Sequence, residues 1–256
     1  MDFAPLNDDH AIEEIRFAYL LDREITTSDL DALKSRHREI RSDLPAVLLV
    51  GEGKGSSIEF AHVRPDATSS WSVEFKEDLI SVVCTRYTRW EKVWSSAERF
   101  LNFGLSVVAD VQKCAVTGLA MRVTDKFRVA KIDYDLHTLF QRNEILPADV
   151  FQRRLVWHTH NGWVEILGKD MIVHTLRVDC RPDEPDVDRA DEDGLELAIV
   201  LQHAQRFQPK DPIPAEGQVA ATLSPAMARM HMNNKATMSA LLTEAMSGKI
   251  GLSMGA

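Results

Sequence analysis

Residues 153–180, RRLVWHTHNGWVEILGKDMIVHTLRVDC, decide how this chain is read. The stretch holds three of the nine histidines and two of the five tryptophans. It reads as a β-meander with two turn signals. Asn161-Gly162, between alternating runs, favours a type I′ turn, in which both central residues need positive φ. Such a turn sets His160 opposite Trp163 and His158 opposite Glu165. A second turn falls at Gly168-Lys169-Asp170, and its length matters. With two central residues, Trp163 faces His174 and Glu165 faces Ile172, and His158, His160, Glu165 and His174 share one sheet face. One more residue in the turn slips the strand and moves His174 to the other face.

Three histidines and a carboxylate on one face are the ligand set of a zinc or iron site, so these four residues are the ligand or metal candidates. Alternating His, Thr and Glu beside Val and Ile is also the pattern of a half-solvated antiparallel strand. No HExxH motif occurs. No metal or cofactor is assigned on sequence grounds.

Outward from the meander, the 256 residues are 45% apolar and 27% charged, ordinary for a folded domain. No apolar run approaches the length of a membrane span, and MDFAPLNDDH lacks the basic start of a secretory signal. Cys84, Cys114 and Cys180 are far apart, which favours buried thiols in a reducing cytosol over disulfides or a catalytic cysteine. The net charge of −9 argues against broad nucleic-acid binding. Arg86, Arg89, Lys92 and Arg99 form the local basic cluster that such binding would use, and they read more simply as a solvated face.

In order along the chain, Ile12 to Leu21 is a strand, and Thr26–Ser28 cap a helix that Pro45 ends. Ala46 to Val50 is a strand. Gly51-Glu-Gly-Lys-Gly55 has neither phosphate-loop spacing and reads as a hairpin loop. Two strands follow between Trp71 and Tyr87, broken near Glu77-Asp78. Thr88-Arg-Trp-Glu91 has the form of a capping box opening a helix that reaches about Gln112. Ala115 to Val123 is a strand and Asp133 to Phe140 a short helix. Eight acidic side chains between Asp179 and Asp193 lack the order of a calcium loop. Leu195 to Phe207 pairs back onto the meander. Ser224-Pro225 opens a last helix ended by Gly248. Six of nine methionines fall in the last thirty residues. Because methionine is used on adaptable surfaces, Met227, Met230, His231 and Met238 are the partner-interface candidates.

These elements give an α+β fold: a largely antiparallel curved sheet with long helices on one face. It comprises two pseudo-repeated halves, 1–113 and 114–256, in one continuous unit. Ala4-Pro5 with Ile12-Glu-Glu-Ile-Arg-Phe17, the strand Val116-Thr-Gly-Leu-Ala-Met-Arg-Val123, Leu146-Pro147, Met230-His231 and Leu241-Leu-Thr-Glu244 together carry a resemblance. They resemble a sporadically distributed family of uncharacterised bacterial and archaeal proteins of about this length. Ile12 falls seven positions after Pro5, an insertion against that family's start, and methionine replaces leucine before His231. The resemblance implies a full-length unit in the cytoplasm and carries over no catalytic residue.

The functional expectation is a non-enzymatic interaction protein or accessory subunit of a bacterial cytoplasmic system, with a protein partner or a second copy and no membrane. The alternatives are a small-ligand or metal-binding enzyme on the histidine face, with Glu165 as base, and a nucleic-acid-contacting accessory protein.

Overall fold

A computed structural model describes residues 2–50, 56–130, 133–153, 155–183, 197–217 and 219–252. The glycine loop 51–55 and most of the acidic stretch 179–193 lie outside the described residues.

The chain forms a mixed α/β fold on one large, curved, antiparallel sheet. Its strands are β1 (Phe3–Pro5), β2 (Ile12–Leu21), β3 (Ala46–Val50), β4 (Ser57–Val63), β5 (Ser69–Lys76), β6 (Leu79–Cys84), β7 (Ala115–Val129), β8 (Trp157–Leu167), β9 (Asp170–Pro182), β10 (Leu197–Gln208) and β11 (Ile213–Pro214). The order is β3-β4-β5-β6-β2-β7-β10-β9-β8, with β1 and β11 also pairing β7. The helices are α1 (Thr27–Arg36), α2 (Trp90–Val111), α3 (Val219–Leu241) and α4 (Glu244–Lys249).

The meander forms differently from the expectation at Asn161-Gly162. No turn occurs there, and β8 runs straight through, pairing Asn161 with Leu176 and Gly162 with Thr175. A Cβ on Gly162 would sit 3.3 Å from the His174 carbonyl, so this glycine permits a close strand approach. The turn is Gly168-Lys169, with Leu167 paired to Asp170 and Gly168 at φ +66°. Trp163 therefore faces His174 and Glu165 faces Ile172, as the two-residue turn requires.

One sheet face is apolar. Phe17, Tyr19, Val73, Phe75, Ile80 and Val82 are fully buried in a cluster that includes Val93, Ala97, Leu101 and Val108 of α2. A second cluster joins Phe127, Leu176, Val178, Ile199 and Leu201 to Met238 and Leu241 of α3. Helix α3 spans both, since its Met227 and Met230 belong to the first.

Other boundaries shift for identifiable reasons. Helix α1 ends at Arg36 and continues as a 3-10 turn, His37–Glu39. The Thr88–Glu91 capping box is not made; Arg89 is the N-cap, in extended backbone and without a side-chain cap. Between Asp133 and Phe140 only a 3-10 turn forms, Leu136–Thr138. Helix α3 starts at Val219, with Pro225 inside it. Ser224, expected to cap, instead donates to Glu98 Oε1 of α2 at 2.7 Å. The closing helix is two helices: Leu242 and Thr243 interrupt it, and the Thr243 hydroxyl caps α4.

Candidate functional site

The split of the sheet face into two apolar clusters leaves a gap between them. On β7, Val123 belongs to the first cluster and Phe127 to the second, and Asp125 lies between. On α3, Met230 belongs to the first and Met238 to the second, and Asn234 lies between. Both intervening residues line a cavity of about 660 Å³. A β-bulge shapes its floor. Ile12 pairs with Asp125 but Glu14 pairs with Thr124, so Glu13 is the extra residue. Without it Ile12 and Ile15 would point to opposite faces; with it both line the cavity. The start of α2 supplies Thr88, Trp90 and Glu91, and residues 9–11 and 250–252 complete the wall. Thr88 and Glu91, which would have formed the capping box, face this space instead.

Asp125 is 5% exposed, and among the described residues its carboxyl has no hydrogen-bond or ion-pair partner. Burial alone raises its pKa to about 7. A carboxyl left without partners on a cavity wall is costly, and such groups concentrate at functional sites. Around it, His231 stacks on Trp90 with ring centroids 3.8 Å apart, and His10 meets Tyr87 edge-on at 5.5 Å. Burial, aided by Lys235, pushes His231 down to about 4, so its imidazole is neutral near pH 7. Burial pushes the Tyr87 phenol up to about 12, with Glu91 and Asp125 adding to the effect. The charges of the wall balance: Asp9 and Glu91 against Arg89 and Lys235.

A buried polar chain leads from the cavity to the sheet edge. Asn234 Oδ1 lies 3.0 Å from His203 Nδ1, and His203 Nε2 lies 3.2 Å from His174 Nδ1. His174 Nε2 faces Glu165 Oε2 at 3.6 Å, an electrostatic contact longer than a hydrogen bond. Arg229 Nε donates to Glu165 Oε1 at 2.9 Å and Asn233 Nδ2 to Oε2 at 2.7 Å. Trp163 stacks over both imidazoles. Burial lowers the pKa of His174 against the opposing pull of Glu165, and pushes His203 down to about 4. Burial tends to raise the Glu165 carboxyl, but hydrogen bonds from Arg229 and Asn233 outweigh it and hold it below its ordinary value.

The four expected site residues are therefore divided two and two. Glu165 and His174 lie in the buried chain. His158 and His160 pair with Asp179 and Arg177 on the opposite face, where both are exposed. The reason is parity. A turn at Asn161-Gly162 would have aligned even residues before it with odd residues after it, whereas an unbroken strand keeps them on opposite faces. Among the described residues no group of three or more His, Cys, Asp or Glu side chains is arranged to hold a metal. Met227, Met230 and Met238 are buried against the sheet, and His231 is half-buried on Trp90. Arg86, Arg89 and Lys92 are exposed at the head of α2, while Arg99 pairs with Asp43 at 3.1 Å.

Asp125, His203 and Asn234 escaped the sequence reading. Asp125 carried a usable signal: it occupies an inward position of the alternation Leu119, Met121, Val123, Phe127. No protein-family model matches the chain, and no curated protein matches it significantly.

Proposed function

We propose that the protein binds a small organic ligand in the cavity between α2, α3 and the central strands β2 and β7. The supporting observation is Asp125, a buried carboxyl without a protein partner on the wall of a 660 Å³ space. That volume suits a metabolite-sized molecule, and the wall joins apolar side chains such as Ile12, Ile15 and Met238 to polar groups that can fix its orientation. This keeps the small-ligand alternative and moves it off the histidine face. A fragment screen followed by NMR is the test. Hits are expected to shift the methyl signals of Ile12, Ile15 and Met238 and the Trp90 indole, and Ile12→Trp, which fills the space, should weaken them on the order of tenfold or more. Hits that leave those signals still would refute the reading.

A protein partner remains the second reading, carried now by β8 and not by the methionines. This edge strand leaves Val164 52% and Ile166 67% exposed, beside Val156 at 63%. An apolar edge with unpaired backbone groups is a template for strand addition. Light scattering on the purified chain is expected to give a dimer mass that Ile166→Lys reduces to the monomer. A monomeric parent chain that captures no partner through β8 counts against it.

We further propose that the two halves are pseudo-repeats, because the order β4-β5-β6-β2 is mirrored by β8-β9-β10-β7 across the β2–β7 seam, with β3 an additional edge strand of the first half. A cytoplasmic setting is supported by three buried free thiols. No described helix is long and apolar enough to cross a membrane.

A further inference from the structure

The buried chain behind the cavity has a polarity, and that polarity selects a ligand. Its outer end is fixed: Glu165 is held ionised by Arg229 and Asn233 and accepts only. A neutral His174 facing it must carry its proton on Nε2, which leaves Nδ1 to accept. His203 then donates from Nε2, and its Nδ1 accepts in turn. The structure sets Asn234 Oδ1 3.0 Å from His203 Nδ1, and this polarity calls for the NH₂ end there instead, an exchange made by a half-turn of the amide. The reverse polarity would set the His174 lone pair against the Glu165 carboxylate unless His174 were protonated, which its burial opposes. With the amide so turned and its nitrogen committed to His203, the Asn234 carbonyl is left for the cavity that this residue lines.

We propose that the cavity is specific for an amine: an ammonium or amino group donating to both Asp125 and the Asn234 carbonyl, carried on an apolar or aromatic body. This rests on the ligand-binding reading above and adds its chemical class. Both inner polar groups are acceptors once Asp125 is ionised, and a cation supplies both the donors and the counter-charge. The body would lie against Ile12, Ile15 and Met238. Asn234 thereby becomes a specificity-determining residue, and His203 a positioning residue that acts through it.

The probes are benzylamine, benzyl alcohol and benzoate, matched in ring and size, titrated by NMR at pH 7.5. Benzylamine is expected to shift the Ile12, Ile15 and Met238 methyls with an affinity about tenfold above the alcohol, the worth of one charge-assisted hydrogen bond, with benzoate showing no effect. His203→Phe releases the amide and is expected to shrink the amine-to-alcohol ratio while alcohol binding persists, a change that loss of packing alone does not produce. His174→Gln reports the same ratio should the first variant fail to fold. Equal binding of amine and alcohol, or preference for benzoate, would overturn the amine assignment and leave the cavity reading standing. Silence of those methyls to all three probes would overturn both.

Discussion

Replacing Arg23 with methionine is expected to cost about 3–5 kcal/mol of folding stability, the loss typical when one partner of a buried ion pair is removed. Asp29 is 0% exposed, and Arg23 grips it with two parallel hydrogen bonds: Nη1 to Oδ2 at 2.8 Å and Nη2 to Oδ1 at 2.9 Å. The same Nη2 also donates to the Val108 and Gln112 carbonyls at 2.8 and 3.1 Å. It thus caps the C-terminus of α2 and places a positive charge where the helix dipole is negative. Asp29 in turn accepts from the Thr26 backbone N–H at 2.7 Å and closes the capping box of α1. One guanidinium therefore ties the start of α1 to the end of α2, and its loss leaves a buried carboxylate with its Thr26 hydrogen bonds but no counter-charge. For a domain of this size each kcal/mol moves Tm by about 2–4 °C, so a fall of at least about 6 °C is expected. Burial tends to raise the Asp29 carboxyl, but the hydrogen bonds from Arg23 and Thr26 outweigh it and hold the pKa below its ordinary value. The stabilisation from that depressed pKa is present above the ordinary carboxylate range and is lost as pH falls through the folded value. The parent chain should accordingly lose more stability on acidification than Arg23→Met does. A loss under about 1 kcal/mol, typical of exposed pairs, would mean that water screens the pair and that it does not hold α1 to α2.

Local patterns were legible wherever the decision was local. A turn within Gly168-Lys169-Asp170, the break at Glu77-Asp78 and a cap within Thr26–Ser28 were readable, because each depends on a residue type at a fixed offset, while the turn's length and so the register stayed open. Asn161-Gly162 carried the stronger turn signal of the meander and is not a turn. Both of its residues are used by long-range neighbours: β9 approaches the glycine closely, and the Asn161 amide donates to the Ile145 carbonyl. That single difference reverses the side of the sheet on which His158 and His160 stand. The polar chain was half legible. Register brought Glu165 and His174 to one face, but His203 and Asn234 join them from β10 and α3, 29 and 31 positions along successive links. No local period encodes such contacts. The Met-rich helix misled for a related reason: the composition is that of an adaptable surface, yet Met227 and Met230 are fully buried in the first apolar cluster.

Asp125→Asn is expected to stabilise the protein at pH 8, by up to about 4 kcal/mol, with almost no effect at pH 4. The sign follows from the pKa, raised by burial to about 7 in the folded chain. The folded state holds this proton more tightly than the unfolded chain does, so stability falls as pH rises from the ordinary carboxylate range to about 7 and is level above it. At pH 4 acid and amide are both neutral, so the variant gains little. At pH 8 the parent carries an unpaired buried charge that the variant lacks. Raised by roughly three units at about 1.4 kcal/mol each, the carboxyl sets the upper bound. Denaturant titrations of both proteins at the two pH values measure the difference. Equal stability at pH 8 would mean that Asp125 is solvated or paired, which removes the main support for the cavity as a site. A gain at pH 8 accompanied by loss of benzylamine preference would tie the two properties to one atom pair. Residues that lower stability without packing or pairing are retained where function uses them, and an amine seated on Asp125 would restore the missing partner, favour the ionised carboxylate and release a proton on binding near pH 7.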